Sequence, residues 1–329
     1  MTKKDLKIVF MGTPDFAVES LRALVDGGYH IVGVVTMPDK PMGRHGNVLQ
    51  PSAVKRYALS QNLPVLQPEK LKEESFVKEL RALQADLQIV VAFRMLPAIV
   101  WEMPRYGTFN LHASLLPQYR GAAPINWAII NGETETGATT FFLTHEIDTG
   151  RIIRQVKWPI APTDDAGVVH DALMGIGARL VTETVDLLIE TDGNMETIPQ
   201  ETLHACTEEL RPAPKIFMES CRIDWHQPAV CTYNFIRGLS PSPGAWTEIV
   251  SPAGTAVSLK VFATERVERA NTSPPCPVGA IRTDGKHDME VAVTDGFIRI
   301  LSLQLAGKKR MSIKDFLNGT KIDNNWNMR

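Results

Sequence analysis

A chain of 329 residues with 44% hydrophobic and 22% charged side chains is long enough for about two compact domains, and its composition excludes disordered, collagen-like and coiled architectures. The formal charge of −2 gives no basis for strong non-specific attraction to nucleic acid. The early apolar run Ile8 to Met11 is too short for a secretion signal, and no later run approaches the ~18 residues needed to span a bilayer, so a cytoplasmic location is expected.

In chain order, Lys7 to Met11 reads as a short buried strand, followed by the turn Gly12 to Asp15 and a helical pattern from Phe16 to Val25 that Gly27 and Gly28 end. A second apolar run, Ile31 to Val35, precedes a polar loop. A helical stretch near Ser52 to Leu59 and a buried run Leu87 to Ala92 continue the alternation that builds a parallel sheet. Strands are expected at Thr108 to Leu111, Thr139 to Leu143 and Ile152 to Val156, and a long helix over Asp165 to Ile189. Asn194 to Pro214, with Pro199, Pro212 and Pro214, reads as a linker.

After Trp225 the pattern changes to short strands at Trp246 to Val250, Val257 to Ala263, Val278 to Ile281, Glu290 to Val293 and Phe297 to Leu301. The fold class expected is therefore α/β, a doubly wound and mostly parallel sheet, followed by a smaller β-barrel of the oligonucleotide-binding type. The expected boundaries are 1–190, a linker over 191–214, and 215–329. The charge is unevenly divided: residues 1–208 carry 19 Lys and Arg against 25 Asp and Glu, and residues 209–329 carry 16 against 12. The basic second part permits a polyanionic partner without demanding one.

Cys206, Cys221, Cys231 and Cys276 are scattered without a C-x-x-C pair, which argues against a zinc site and a disulfide framework; no metal is expected. The turn Gly12-Thr13-Pro14-Asp15 stands where a dinucleotide fold would carry three glycines, and Pro14 lacks an N–H, so nicotinamide or flavin binding is not expected.

The chemistry concentrates in two places. In Thr108-Phe109-Asn110-Leu111-His112, Asn110 and His112 are two apart on a strand and share a face, where an amide donor and an imidazole converge on one atom. In His145-Glu146-Ile147-Asp148-Thr149-Gly150, Asp148 is a carboxylate at a strand-end turn, suited to orienting a histidine. The bland alternatives are a satisfied core histidine and an Asx turn held by Thr149 and Gly150. A serine triad with Ser114 fails on spacing, because the G-x-S-x-G elbow is missing. An aspartic protease needs two D-T-G loops; one chain supplies one and a homodimer would supply the second, so a dimeric protease stays among the alternatives.

The segments Phe10 to Ala17, Pro38 to Arg44, Asn110 to Asn126, Ile147 to Gly150, Arg222 to Trp225 and Ser302 to Ser312 together resemble the formyltetrahydrofolate-dependent transferases, over almost the whole chain. The last two segments and the loop at Pro38 resemble the branch that acts on tRNA. The resemblance implies a catalytic domain carrying Asn110, His112 and Asp148, a C-terminal barrel, and formyl transfer from 10-formyltetrahydrofolate to the methionine amino group of initiator tRNA. It assigns Ser114, Leu115, Leu116 and Pro117 to a folate-contacting turn. Arg44 is matched to a loop arginine that engages the acceptor arm, with Lys40 beside it; Lys308, Lys309 and Arg310 form a cationic run suited to phosphates. Arg120 is left between the cofactor tail and a surface acid. Arg94-Met95 departs from the family, which usually carries an aromatic–glycine pair there. Other amine acceptors, such as an amino-sugar nucleotide or glycinamide ribonucleotide, and a non-catalytic RNA-binding module, are the alternatives. A monomer is the expected state.

Overall fold

A computed structural model describes residues 1–42, 48–203, 209–268 and 276–329. The chain divides into two compact units that are interleaved along the sequence. The first comprises Met1–Pro124, Thr136–Pro159 and His170–Pro212, and the second Ile125–Glu135, Ile160–Val169 and Ala213–Arg329.

The first unit is built on strands β1 (Lys7–Gly12), β2 (His30–Val35), β3 (Lys40–Met42), β4 (Val48–Gln50), β5 (Val65–Leu66), β6 (Leu87–Val91), β7 (Thr108–His112), β8 (Glu135–Phe142) and β9 (Ile152–Pro159). Among the described residues, seven of these form one sheet in the order β5-β2-β1-β6-β7-β8-β9. Neighbours from β5 to β7 run parallel and β7 pairs antiparallel with β8. All five residues of β6 are buried, as a strand covered on both faces requires. Helix α1 (Asp15–Asp26) buries Phe16, Ala17, Ser20, Leu21 and Leu24, one stripe of a 3.6-residue period. Helix α2 (Ala53–Ser60) starts where the Ser52 hydroxyl accepts the Lys55 N–H at 3.0 Å.

The sheet is mixed and Rossmann-like, as expected. From β1 the chain first builds outward through β2 and β5 and then crosses to β6 on the other side. Such a reversal opens a crevice at the carboxyl ends of the strands. The sequence reading did not anticipate β3, β4 and β5, nor the helices α3 (Glu74–Ala82), α4 (Ala98–Trp101) and α5 (Pro124–Ile130), and it started β8 four residues late. The long helix is present as α6 (Ala166–Glu190).

In the second unit, α7 (Ala229–Gly238) precedes β10 (Ala245–Val250), β11 (Ala256–Glu268), β12 (Ile281–Thr283), β13 (Met289–Ala292), β14 (Gly296–Leu305), β15 (Met311–Ser312), α8 (Ile313–Gly319) and β16 (Asn327–Met328). The order β12-β13-β14-β11-β10-β16 makes an antiparallel sheet that is nearly closed. Closure is made by β16: it pairs with β10 on one side, and its Met328 N–H donates to the Gly279 carbonyl at 2.7 Å on the other. Gly279 has φ +84°, and a Cβ there would lie 2.3 Å from Met328 O, so only glycine admits this approach. The interior holds Trp225, Ile236, Val261, Ile298, Ile300 and Phe316. The expected strands all exist in shifted form, whereas β15, β16, α7 and α8 were not anticipated.

Of the stretch expected as a linker, the described residues 194–203 and 209–212 belong to the first unit, and a short 3-10 turn at Gln200–Thr202 buries Gln200.

Candidate active site

The site is assembled at the carboxyl ends of β6 and β7. A Cβ on Gly177 of α6 would meet Leu111 Cδ2 at 2.7 Å, so Leu111 packs toward that helix. The two-residue period then turns Asn110 and His112 to the opposite face. Asn110 is flanked by Val90 of β6 and Phe141 of β8. It is half-buried, and its carboxamide makes no hydrogen bond to any described residue. In a half-buried setting, two unused N–H donors are an invitation to a ligand acceptor.

His112 is 6% exposed and both ring nitrogens face named groups. Nε2 lies 2.8 Å from the Tyr119 carbonyl, which can only accept, so Nε2 carries a proton. Nδ1 faces Asp148 Oδ2 at 3.8 Å, within ion-pair range but longer than a hydrogen bond. The ring stands edge-on to Phe141, with centroids 6.5 Å apart.

Asp148 is not held as a local Asx turn. Its Oδ2 accepts the N–H of Gly121, 27 residues earlier, at 2.9 Å. Three non-glycine residues around these strand ends have left-handed backbone: Ala92 after β6 (φ +47°), Tyr119 after β7 (φ +60°) and Asp148 after β8 (φ +56°). Such conformations cost on the order of 1–3 kcal/mol each and persist where the surroundings enforce them. At Gly150, a Cβ would sit 1.6 Å from Phe142 O, so the glycine of the D-T-G turn is a steric requirement.

Gln200 joins this group, and no motif announced it. Its Nε2 donates to the Asp148 and Gly150 carbonyls, each at 2.8 Å. Its Oε1 accepts from Arg120 Nε at 3.1 Å and Nη2 at 2.6 Å. Arg120 therefore pairs with an amide oxygen, and the surface acid considered from sequence is not its partner.

The turn 114–117 is anchored inward. Leu116–Pro117 is a cis peptide, and Ser114, Leu116 and Pro117 are buried. The Ser114 hydroxyl donates to Gln118 O at 2.7 Å. Thr139 is the hub behind it, donating to Ser114 O at 2.6 Å and accepting from Gln155 Nε2 at 3.0 Å, while Gln155 also donates to Leu116 O at 2.7 Å. Leu115 is half-buried, with its side chain over Gly137. At the neighbouring strand end, Arg94 donates to the carbonyls of Pro68 and Glu69 at 2.5 and 2.7 Å, and burial pushes its guanidinium pKa down from the ordinary value.

Lys40 is exposed on the β3–β4 hairpin, and Arg44 lies outside the described residues. Lys308, Lys309 and Arg310 are exposed in the turn after β14. Lys308 and Lys309 meet no carboxylate among the described residues, whereas Arg310 lies 4.6 Å over the Phe262 ring and donates to Ser302 Oγ at 2.8 Å. Cys221 is buried, Cys231 exposed and Cys276 half-buried, and Cys206 lies outside the described residues. Among the described residues, no group of three His, Cys, Asp or Glu is placed to hold a metal ion, and no helix is long and apolar enough to cross a membrane.

Comparison with known proteins gives two family matches, "Formyl transferase" over residues 6–185 and "Formyl transferase, C-terminal domain" over residues 215–321. The methionyl-tRNA formyltransferase of Parabacteroides distasonis is 69% identical over 98% of this chain and 98% of its own. Among solved structures, HypX from Aquifex aeolicus in complex with tetrahydrofolic acid aligns over 97% of this chain and 48% of that one, with TM-score 0.61 at 18% identity. The N-formyltransferase of Helicobacter canadensis, in complex with folinic acid and dTDP-3-aminofucose, aligns over 91% and 99%, with TM-score 0.59 at 18% identity. At such identities the two structures share the fold alone.

Proposed function

Given that this chain belongs to the methionyl-tRNA formyltransferase family, we propose that it transfers the formyl group of 10-formyltetrahydrofolate to the free amino group of methionyl initiator tRNA, as a cytoplasmic monomer. The observation that carries the local reading is the Asn110 carboxamide, without a hydrogen-bond partner among the described residues, on the strand that also carries His112 of the His112–Asp148 pair.

The chemistry required is an acyl transfer without an enzyme nucleophile. The methionyl amine attacks the formyl carbon, a C–N bond forms, and the carbonyl electron pair moves to oxygen. Asn110 Nδ2 donates to that oxyanion, a kind of contact typically worth ~10²–10³ in turnover. The expected sharing of this oxyanion with a His112 N–H is altered by the geometry, because the Nε2 proton is already given to Tyr119 O. Nδ1 is then the nitrogen that takes a proton from the attacking ammonium, since only the free amine is nucleophilic. Asp148, 3.8 Å away, stabilises the imidazolium so formed. Collapse of the intermediate breaks the bond from carbon to the folate nitrogen, which leaves with that proton, and the second amine proton passes to solvent. The product is the N-formyl amide and tetrahydrofolate.

The turn 114–117 supports the folate by offering a rigid edge whose position is set from behind by Thr139 and Gln155. Lys40, Arg44 and the Lys308 to Arg310 run contribute cationic groups for tRNA phosphates. The test is a parallel assay with formyl-folate and three acceptors: charged initiator tRNA, free methionine and an amino-sugar nucleotide. Formylation of the tRNA alone is expected. Product only on the sugar nucleotide would replace this acceptor assignment, and no product on any would remove the reading.

A further inference from the structure

Gln200 is 1% exposed and every hydrogen-bonding valence of its carboxamide is used. Both N–H groups go to carbonyls of the D-T-G turn, and both oxygen lone pairs receive Arg120. The partners settle which end is nitrogen, because carbonyls only accept and guanidinium only donates. Arg120 in turn sits between two residues that set the site. Tyr119 supplies the carbonyl that holds His112 Nε2, and Gly121 supplies the N–H that holds Asp148 Oδ2. One side chain, 52 residues beyond Asp148, thus ties the loop carrying the carboxylate to the loop carrying its two anchors. Both loops include left-handed non-glycine residues, Tyr119 and Asp148, which relax unless constrained.

We propose that Gln200 is a positioning residue for formyl transfer, holding the Asp148 carboxylate at its distance from His112 by clamping the backbone of the D-T-G turn against Arg120. This rests on the reading of Asp148 as part of the transfer machinery. A side chain serving only to fill space would be insensitive to exchange of its amide for an isosteric carboxylate. In Gln200→Glu the size and the acceptor for Arg120 remain, but the two donations to Asp148 O and Gly150 O are removed.

The test uses the full chain, Gln200→Glu and Gln200→Ala, each with and without Asp148→Asn, in single-turnover formylation with enzyme in excess so that slow variants are read over hours. Displacements of about an ångström at a reacting group cost about 10²-fold, so Gln200→Glu is expected to lower the chemical rate by roughly 30- to 100-fold. The KM for formyl-folate and for charged tRNA should stay within about twofold, because the clamp grips the enzyme and not the substrates. In the Asp148→Asn background the same change should cost less than about threefold. Equal reductions in both backgrounds, an effect confined to KM, or an unaltered rate would each overturn the proposal. Should Gln200→Ala fail to fold, Gln200→Glu alone decides it. Absence of product from the unaltered chain overturns the activity itself, which separates that failure from this one.

Discussion

His112 gives its Nε2 proton to the Tyr119 carbonyl at 2.8 Å, and that one contact assigns the roles of both ring nitrogens. A carbonyl cannot donate, so neutral His112 leaves Nδ1 unprotonated and turned to the carboxylate of Asp148. In the proposed mechanism the site then divides into a donor, Asn110, and a proton carrier, His112. Substitutions can probe the two separately.

Asn110→Ala is expected to lower kcat by about 10²–10³ while leaving thermal stability within about a degree or two, because the carboxamide makes no hydrogen bond to any described residue. Paired rate and melting measurements check this. A large drop in melting temperature would show that Asn110 serves the fold instead.

Thr139→Val is expected to act in the opposite sense. The hydroxyl is fully buried, and it meets Ser114 O, the Leu116 N–H and Gln155 Nε2. Its removal leaves buried polar groups unpaired, a destabilisation of about 1–3 kcal/mol. A urea titration should show a lower midpoint at unchanged slope.

Replacing Lys308 and Lys309 together by Ser is expected to raise the KM for charged tRNA several-fold and to flatten its dependence on salt. For every phosphate that the variant no longer neutralises, the log–log slope should fall by about one unit. The KM for formyl-folate should not move. Arg310 is left in place in this experiment because its packing on Phe262 and its hydrogen bond to Ser302 would confuse charge with packing.

Cys221 is buried, and burial pushes its thiol pKa up from the ordinary value. At pH 8 a thiol reagent should modify the exposed Cys231 and spare Cys221 until the chain unfolds. Since the folded thiol holds its proton more tightly than the unfolded one, this group's contribution to stability falls as pH rises past the unfolded value of about 8.5. Cys221→Ser should weaken that alkaline destabilisation, as denaturant midpoints between about pH 7 and 10 would report.

The parts of the fold that were legible in the sequence are those where a single segment carries its own signal. The all-buried run Leu87–Val91 and the stripe of α1 declare strand and helix through period alone. By contrast, β5 and β16 are two residues each and acquire strand character only from the neighbours they pair with. The short helix α5 also went unseen, since seven residues give barely two turns of pattern.

The same division holds in the site. Residue types and spacing brought Asn110, His112 and Asp148 forward, because a strand's alternation is local and a carboxylate at a turn is visible in the chain itself. The tautomer of His112, the anchoring of Asp148 by Gly121 and the clamp made by Gln200 belong to the tertiary structure. Apart from the Arg120 end of the clamp, a pair of side chains, each is a hydrogen bond to a backbone atom, which every residue possesses, so no choice of side chain in the partner marks it. Which backbone groups meet is decided only when the strands have aligned and the loops at their ends have been brought together.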